Sequence, residues 1–357
     1  MAARPERLPV SVHTLYADLA DRAWTGDFRE ITQAGGTPYK RVERGRSYWY
    51  WQPATVNGSR PSARYLGPDS DEVHQRIRER EALAGARKER IGIVRALRAA
   101  RLPVPDGLTG RVVAALAGAG AFRLRAALVG SAAFLCYGPM LGFRVSGGLT
   151  RTGDVDIAQF HSVSMAVGDE LDDDFLTVLR RVDLRFEAIP SAADTRRSWR
   201  YAIRAGTQET FSVELLAPLR GPERAGGLTR LKAMRSDARL LRFLDFLLYR
   251  EVEAVMLAGP GIPVRVPAPE RFALHKVLLS NLHDDGPASR AKARKDLDQA
   301  IALLRILAQD RPHELEEVWE ELLDRGPAWR KRALQAARAL PADVHSLLPR
   351  LPGRNEG

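Results

Sequence analysis

Apolar positions change period several times along the chain, and each change predicts a different element. Val12 through Trp24 carries a helical spacing. Thr37 to Trp51 alternates around Gly45 and predicts a hairpin with Gly45 in its turn. A third strand is expected at Ala63 to Leu66, after the turn signal Asn57-Gly58-Ser59. Glu, Arg and Ala dominate Asp71 to Leu102, which reads as one helix broken at Pro103-Val104-Pro105-Asp106-Gly107, with another helix over Leu108 to Ala119. The apolar run Ala126-Ala127-Leu128-Val129 predicts a strand stopping at Gly130-Ser131, where a helix through Ala132 to Cys136 can open. Further strands are expected around Asp154 to Ala158, Val182 to Ala188, Trp199 to Arg204 and Phe211 to Leu216. Leu240 to Leu257 is ambiguous, with a strand over its last six residues. Val264 to Val266 reads as a strand ended by Pro267 and Pro269, and everything beyond Pro269 reads as helix.

Three short segments carry chemistry. A Gly-Ser entry to a helix exposes backbone N–H groups that attract phosphate. Asp154 and Asp156 stand two apart in a strand, so they share a face. Two such carboxylates repel unless a cation lies between them, and oxygen ligands suit Mg²⁺. Glu214, alternating with Phe211, Val213 and Leu215, adds a third carboxylate from another strand. Alone, each has an ordinary reading: Gly130-Ser131 as a plain helix entry, the aspartates as a solvated edge, Glu214 as a salt-bridged surface residue. Their order and apolar flanks favour a joint site for in-line displacement at a nucleotide phosphate.

Lysine is scarce, seven residues against 48 arginines. Lys276 nevertheless falls in the apolar helix Arg271 to Leu279, which suits a point charge aimed at an anion such as a triphosphate; the alternative is a lysine snorkelling from the helix flank. His275 reads as a packing residue. In Lys292 to Ile301, Leu297, Ala300, Ile301 and Leu304 form a buried stripe bordered by Asp296, whereas Arg294, Lys295 and Asp298 read as a solvated face.

The order Gly130-Ser131, Asp154-Val155-Asp156, Glu214 resembles the minimal nucleotidyltransferase fold of polymerase-beta-like enzymes over roughly residues 120 to 305. Within it, Thr152 to Ala158 and the later helices resemble bacterial nucleotidyltransferase-like proteins and, more distantly, the abortive-infection type E toxins, which transfer nucleotides to tRNA. The resemblance implies an α/β (α+β) fold: a mixed sheet with flanking helices, a small N-terminal β module and a C-terminal helical bundle. It implies two Mg²⁺ ions, with Mn²⁺ as a substitute, held by Asp154, Asp156 and Glu214. It also gives Lys276 and Asp296 a role in organising the nucleotide. The spacing between Gly130 and Asp154 is about twice that usual in the superfamily, so Tyr137 to Arg151 is expected to be an inserted loop over the site, with Arg144 and Arg151 as further phosphate-binding candidates.

Composition changes this picture little, except in charge. At 45% hydrophobic and 28% charged, the chain matches a soluble globular protein. Its length can bury a sizeable core. The expected division is an N-terminal module (1–70), a helical connector (71–120), the catalytic domain (121–268), a helical domain (269–345) and a tail (346–357). No apolar run approaches a membrane span and no signal core follows Arg4 and Arg7, so no membrane partner and a cytoplasmic location are expected. One cysteine excludes an internal disulfide framework, and no Cys/His cluster suggests zinc.

A net charge of +11 favours polyanionic partners. The basic hairpin with Tyr39, Tyr48, Trp49, Tyr50, Trp51 and Tyr65 admits two readings: a base-stacking surface, or a small sheet whose aromatics are its only core. The acidic run Asp169 to Asp174 is expected to open a helix. The functional expectation is a Mg²⁺-dependent transfer of a nucleoside monophosphate from an NTP to an acceptor hydroxyl, with tRNA or other RNA favoured over a protein or an aminoglycoside. The alternative is a catalytically silent nucleic-acid-binding protein of the same fold.

Overall fold

The computed structural model describes residues 5–55, 60–145, 153–219, 227–280 and 287–348. The chain opens with β1 (Glu6–Arg7), α1 (Val10–Thr25) and α2 (Phe28–Gln33), then an antiparallel sheet of β2 (Gly36–Glu43), β3 (Arg46–Pro53) and β4 (Arg64–Pro68), and the long α3 (Asp71–Ala99). Next come α4 (Gly107–Gly118), β5 (Ala127–Val129), α5 (Gly130–Leu141), β6 (Phe143–Arg144), β7 (Asp154–Ala158), α6 (His161–Ala166), α7 (Phe175–Arg180), β8 (Glu187–Ile189), β9 (Arg200–Ala205) and β10 (Gln208–Pro218). Then follow β11 (Leu228–Leu231), β12 (Ser236–Leu241), α8 (Leu244–Leu248), and the hairpin of β13 (Glu251–Met256) and β14 (Ile262–Pro267). The last helices are α9 (Pro269–Leu279), α10 (Pro287–Asp310), α11 (Pro312–Asp324), α12 (Pro327–Ala337) and α13 (Ala342–His345). The mixed α/β class expected from the sequence is the class observed.

A seven-stranded mixed sheet forms the centre, in the order β11-β12-β10-β7-β5, with β9 on the first half of β10 and β8 beyond it. Strand β10 runs parallel to β7 and β12, while β5 is antiparallel to β7. Strand β7 is buried at Val155, Ile157 and Ala158 and half-buried at the aspartates, the period-two alternation of a strand with one face on the core. The main core continues through α5 and α9, where Phe134 and Tyr137 meet Phe272, and the Tyr137 hydroxyl donates to the Pro267 carbonyl at 2.9 Å.

A second, smaller core joins α1, α3 and β13 through Tyr16, Leu19, Val94, Leu97 and Val255. There the Tyr16 hydroxyl receives the Val255 N–H at 3.0 Å and donates to the Val255 carbonyl at 3.3 Å. The buried Arg90 guanidinium donates to the carbonyls of Pro260 and Gly261 at 2.7 and 2.8 Å, so α3 is tied to the body.

Several expectations need correction. The stretch from Tyr137 is not a loop at its start: α5 runs on to Leu141 through Pro139, and Gly142, at φ +75°, ends it in the left-handed conformation. Packing of Tyr137 under α9, against Phe272, sustains the helix past Cys136. The strand expected at Val182 to Ala188 shrinks to Glu187–Ile189, because Asp183 closes a turn onto the Arg185 N–H at 3.0 Å. Of the acidic run only Asp174 caps a helix, accepting from Thr177 N, whereas Asp172 and Asp173 pair with Arg29 and Arg181. Leu240 to Leu257 resolves into the end of β12, then α8, then β13. Among the described residues no helix is long and apolar enough to cross a membrane.

Candidate active site

Asp154 and Asp156 both lie on β7, and the parallel register sets Glu214 of β10 directly beside Asp156. On the other side β5 pairs Val129 with Asp156, which brings the following Gly130 against the same carboxylate. A Cβ at Gly130 would stand 2.2 Å from Asp156 Oδ2, and Gly130 has φ +62°, so a side chain is excluded twice over. Helix α5 starts there with no side-chain cap, and its first-turn N–H groups, including that of Ser131, have no capping side chain to satisfy them. The structure therefore brings together Gly130 at the start of α5 and Asp154, Asp156 and Glu214 of the adjacent strands β7 and β10, with Ser131 next in α5.

The electrostatics record the crowding. Burial first, then the nearby charges of Asp154 and Glu214, push the Asp156 carboxyl up to about 7, against the pull of Lys292 and Lys276. Burial likewise raises Glu214, opposed by Arg200, whose Nε sits 3.2 Å from Glu214 Oε1. Crowded carboxylates forming an all-oxygen donor set have the chemistry that Mg²⁺ or Mn²⁺ suits. The fit is good for the two aspartates. Glu214 is already partnered by Arg200 and would have to leave it, and among the described residues no three His, Cys, Asp or Glu side chains stand arranged around a metal position.

Lys276 belongs neither to solvent nor to the helix flank. It is buried, with its ammonium 2.5 Å from the buried Asp296 carboxylate and 5.3 Å from the centre of the Phe272 ring one turn earlier. Helix α9 can hold it there because Phe272, Ala273 and Val277 anchor the apolar surface around it. The pair joins α9 to α10 beside the carboxylates.

Sequence reasoning missed Lys292 and placed Lys295 on a solvated face. Desolvation works against its charge, yet Asp156, Asp154, Asp296 and Glu214 together raise the Lys292 pKa; Lys295 is lowered by burial while feeling Asp154. The available signal was spacing: Lys292, Lys295, Asp296 and Gln299 recur at helical intervals as a polar stripe beside the apolar one. Arg144 is not brought to the carboxylates. Its guanidinium donates to the Ala100 carbonyl at 3.0 and 3.3 Å, closing the end of α3, and pairs with Glu6. Arg151 lies outside the described residues.

His275 is buried and its pKa is pushed down to about 3 by desolvation and then by Lys276. The folded protein keeps it neutral, while the unfolded chain takes up a proton near pH 6.5. Its contribution to stability is thus full above about 6.5 and lost as pH falls towards 3. Denaturation midpoints measured from pH 7 to 4 should fall less steeply for His275→Leu than for the wild type. Gly130→Ala should misplace the Asp156 carboxylate, with activity lost by about 10²-fold while secondary structure by circular dichroism is retained.

An uncapped helix start next to paired strand carboxylates is chemistry that suits a nucleotide phosphate. The chain belongs to the nucleotidyltransferase family: the family model matches residues 107–324, more than half of the chain and all of the site just described. It is therefore a transferase acting on a nucleotide. An antigenic nucleotidyltransferase-like protein from Paracoccidioides brasiliensis is similar in structure at a TM-score of 0.31 and 16% identity, over 65% of this chain and 94% of that one. No curated protein matches.

Proposed function

We propose that the enzyme moves a nucleoside monophosphate from an NTP to an acceptor hydroxyl of RNA, with tRNA the favoured acceptor, in a Mg²⁺-dependent reaction that releases pyrophosphate. The observation that carries this reading is the cross-strand pairing of Glu214 with Asp156, two residues from Asp154 and against Gly130. Mg²⁺ bound by Asp154 and Asp156 would neutralise triphosphate charge and make the acceptor hydroxyl more acidic. Glu214, once released from Arg200, takes the acceptor proton, a role its raised pKa suits. The first-turn N–H groups at Gly130 and Ser131 receive phosphate oxygens. Lys292 and Lys295 of α10 feel the charge of Asp154, and Lys292 that of Asp156 and Glu214 as well, so they would offset charge on the nucleotide. Lys276, locked to Asp296, holds α9 and α10 in the position that presents those lysines.

RNA is favoured by the net charge of +11. Incubation with labelled NTPs, Mg²⁺ and total RNA should label RNA. Label in a protein band would move the acceptor to protein, and no label in any fraction would support the silent, binding-only alternative.

A further inference from the structure

The three-stranded N-terminal sheet has two unlike faces, and its aromatic residues divide between them. One face packs on α3. Trp51 is buried there beneath Gly36 and the Arg80 guanidinium, and Trp49 Nε1 donates to Asp69 at 2.9 Å, a carboxylate shared with Lys40 at 2.7 Å and His74. Close approach is enforced by glycine: a Cβ at Gly67 would meet Val73 of α3 at 2.7 Å. Trp51 is therefore the structural core of this module, and Trp49 is held half-buried beside it by Asp69.

The opposite face carries tyrosines. Cross-strand pairing sets Tyr39 against Tyr50 and Tyr50 against Tyr65, and the rings form a continuous patch: Tyr39–Tyr50 at 5.4 Å and nearly parallel, Tyr50–Tyr65 at 5.4 Å, Tyr48–Tyr65 at 6.3 Å. Tyr39 is 40% and Tyr65 56% exposed. Arg41 pairs across the strands with Tyr48, and Arg44 and Arg46 lie at the adjoining turn, all exposed. Glu43 is the one acidic residue on the hairpin strands, and it is paired with Arg41 at 3.0 Å.

We propose that this tyrosine face is a docking platform for single-stranded RNA, bases lying on the rings and phosphates on the arginines of the turn. The proposal deepens the reading of RNA as acceptor and rests on it. Flat rings fixed by a sheet suit bases already free of a helix, since duplex bases present no open π-face. The basic rim supplies the charge complementarity that a protein partner would not require.

The test is fluorescence anisotropy of the full chain with an unstructured mixed-sequence RNA of about 12 nucleotides, and with its duplex. Tyr50→Ala and Tyr65→Ala should each weaken single-strand binding by about fivefold or more, the pair by about 25-fold or more, while Tyr→Phe at either position stays within about twofold. Duplex binding and NTP affinity should be unchanged by these variants. Arg41→Ala with Arg46→Ala should flatten the salt dependence by about 1.4 in log–log slope. If the wild type binds single-stranded RNA and the alanine variants bind it equally, the platform is refuted while RNA as acceptor stands. An equal loss on the duplex refutes stacking. A wild type that binds no RNA overturns both the platform and the acceptor reading.

Discussion

Asp154→Ala should abolish nucleotide transfer, lowering the rate by about 10³-fold or more, without lowering thermal stability. The two effects separate because Asp154 sits half-buried in a group of carboxylates whose crowding already raises the neighbouring Asp156. Removing one charge relieves repulsion in the metal-free protein, so stability should hold or rise while activity disappears. Asp156→Asn should behave alike, since it keeps the side-chain volume beside Gly130 and removes the charge. Labelled-NTP incorporation and thermal denaturation of the same preparations check both halves. Incorporation at the wild-type rate in either variant would remove the aspartates from the chemistry.

Lys276→Ala should have the largest effect on folding. Its ammonium and the Asp296 carboxylate are 2.5 Å apart with side chains only 8% and 5% exposed. Deleting one partner strands the other charge in the interior, at a cost of about 3–5 kcal/mol. Replacing both, as Lys276→Met with Asp296→Leu, removes the stranded charge and should recover most of that loss. Denaturant unfolding of the two single variants and the double variant measures the pair. Equal stability of Lys276→Ala and wild type would return the lysine to an exposed position. NTP titration of the double variant then distinguishes a structural strut, which keeps affinity, from a direct phosphate ligand, which loses it.

What the sequence made legible follows from which periods are local. Asp154 and Asp156 could be placed on one face because a strand alternates every residue, and Gly130 could be placed at a turn because an apolar run stops there. The pairing of Glu214 with Asp156 was an expectation of order alone, since register between strands almost sixty residues apart is set by the folded sheet. The long spacing from Gly130 to Asp154 implies a loop from Tyr137, whereas the contact of Tyr137 with Phe272 that sustains α5 to Leu141 is non-local. Strands β11 and β12 went unread because Ser236-Asp237-Ala238-Arg239 alternates without a strong apolar set. Lys295 reads as part of a solvated face, and Lys292 gives no signal, because nothing in their own helix reveals the carboxylates of the sheet whose charge they feel. In the aromatic hairpin Trp51 is core, as a small sheet requires, whereas Tyr39 and Tyr65 are exposed and Tyr48, Trp49 and Tyr50 are half-buried.

The most direct measurement is a crystal structure with Mn²⁺ and a non-hydrolysable NTP analogue. An anomalous peak bonded to both Asp154 and Asp156 is expected, with triphosphate oxygens at the Gly130-Ser131 amides. Nucleotide bound elsewhere, or metal that engages neither aspartate, would rule this site out.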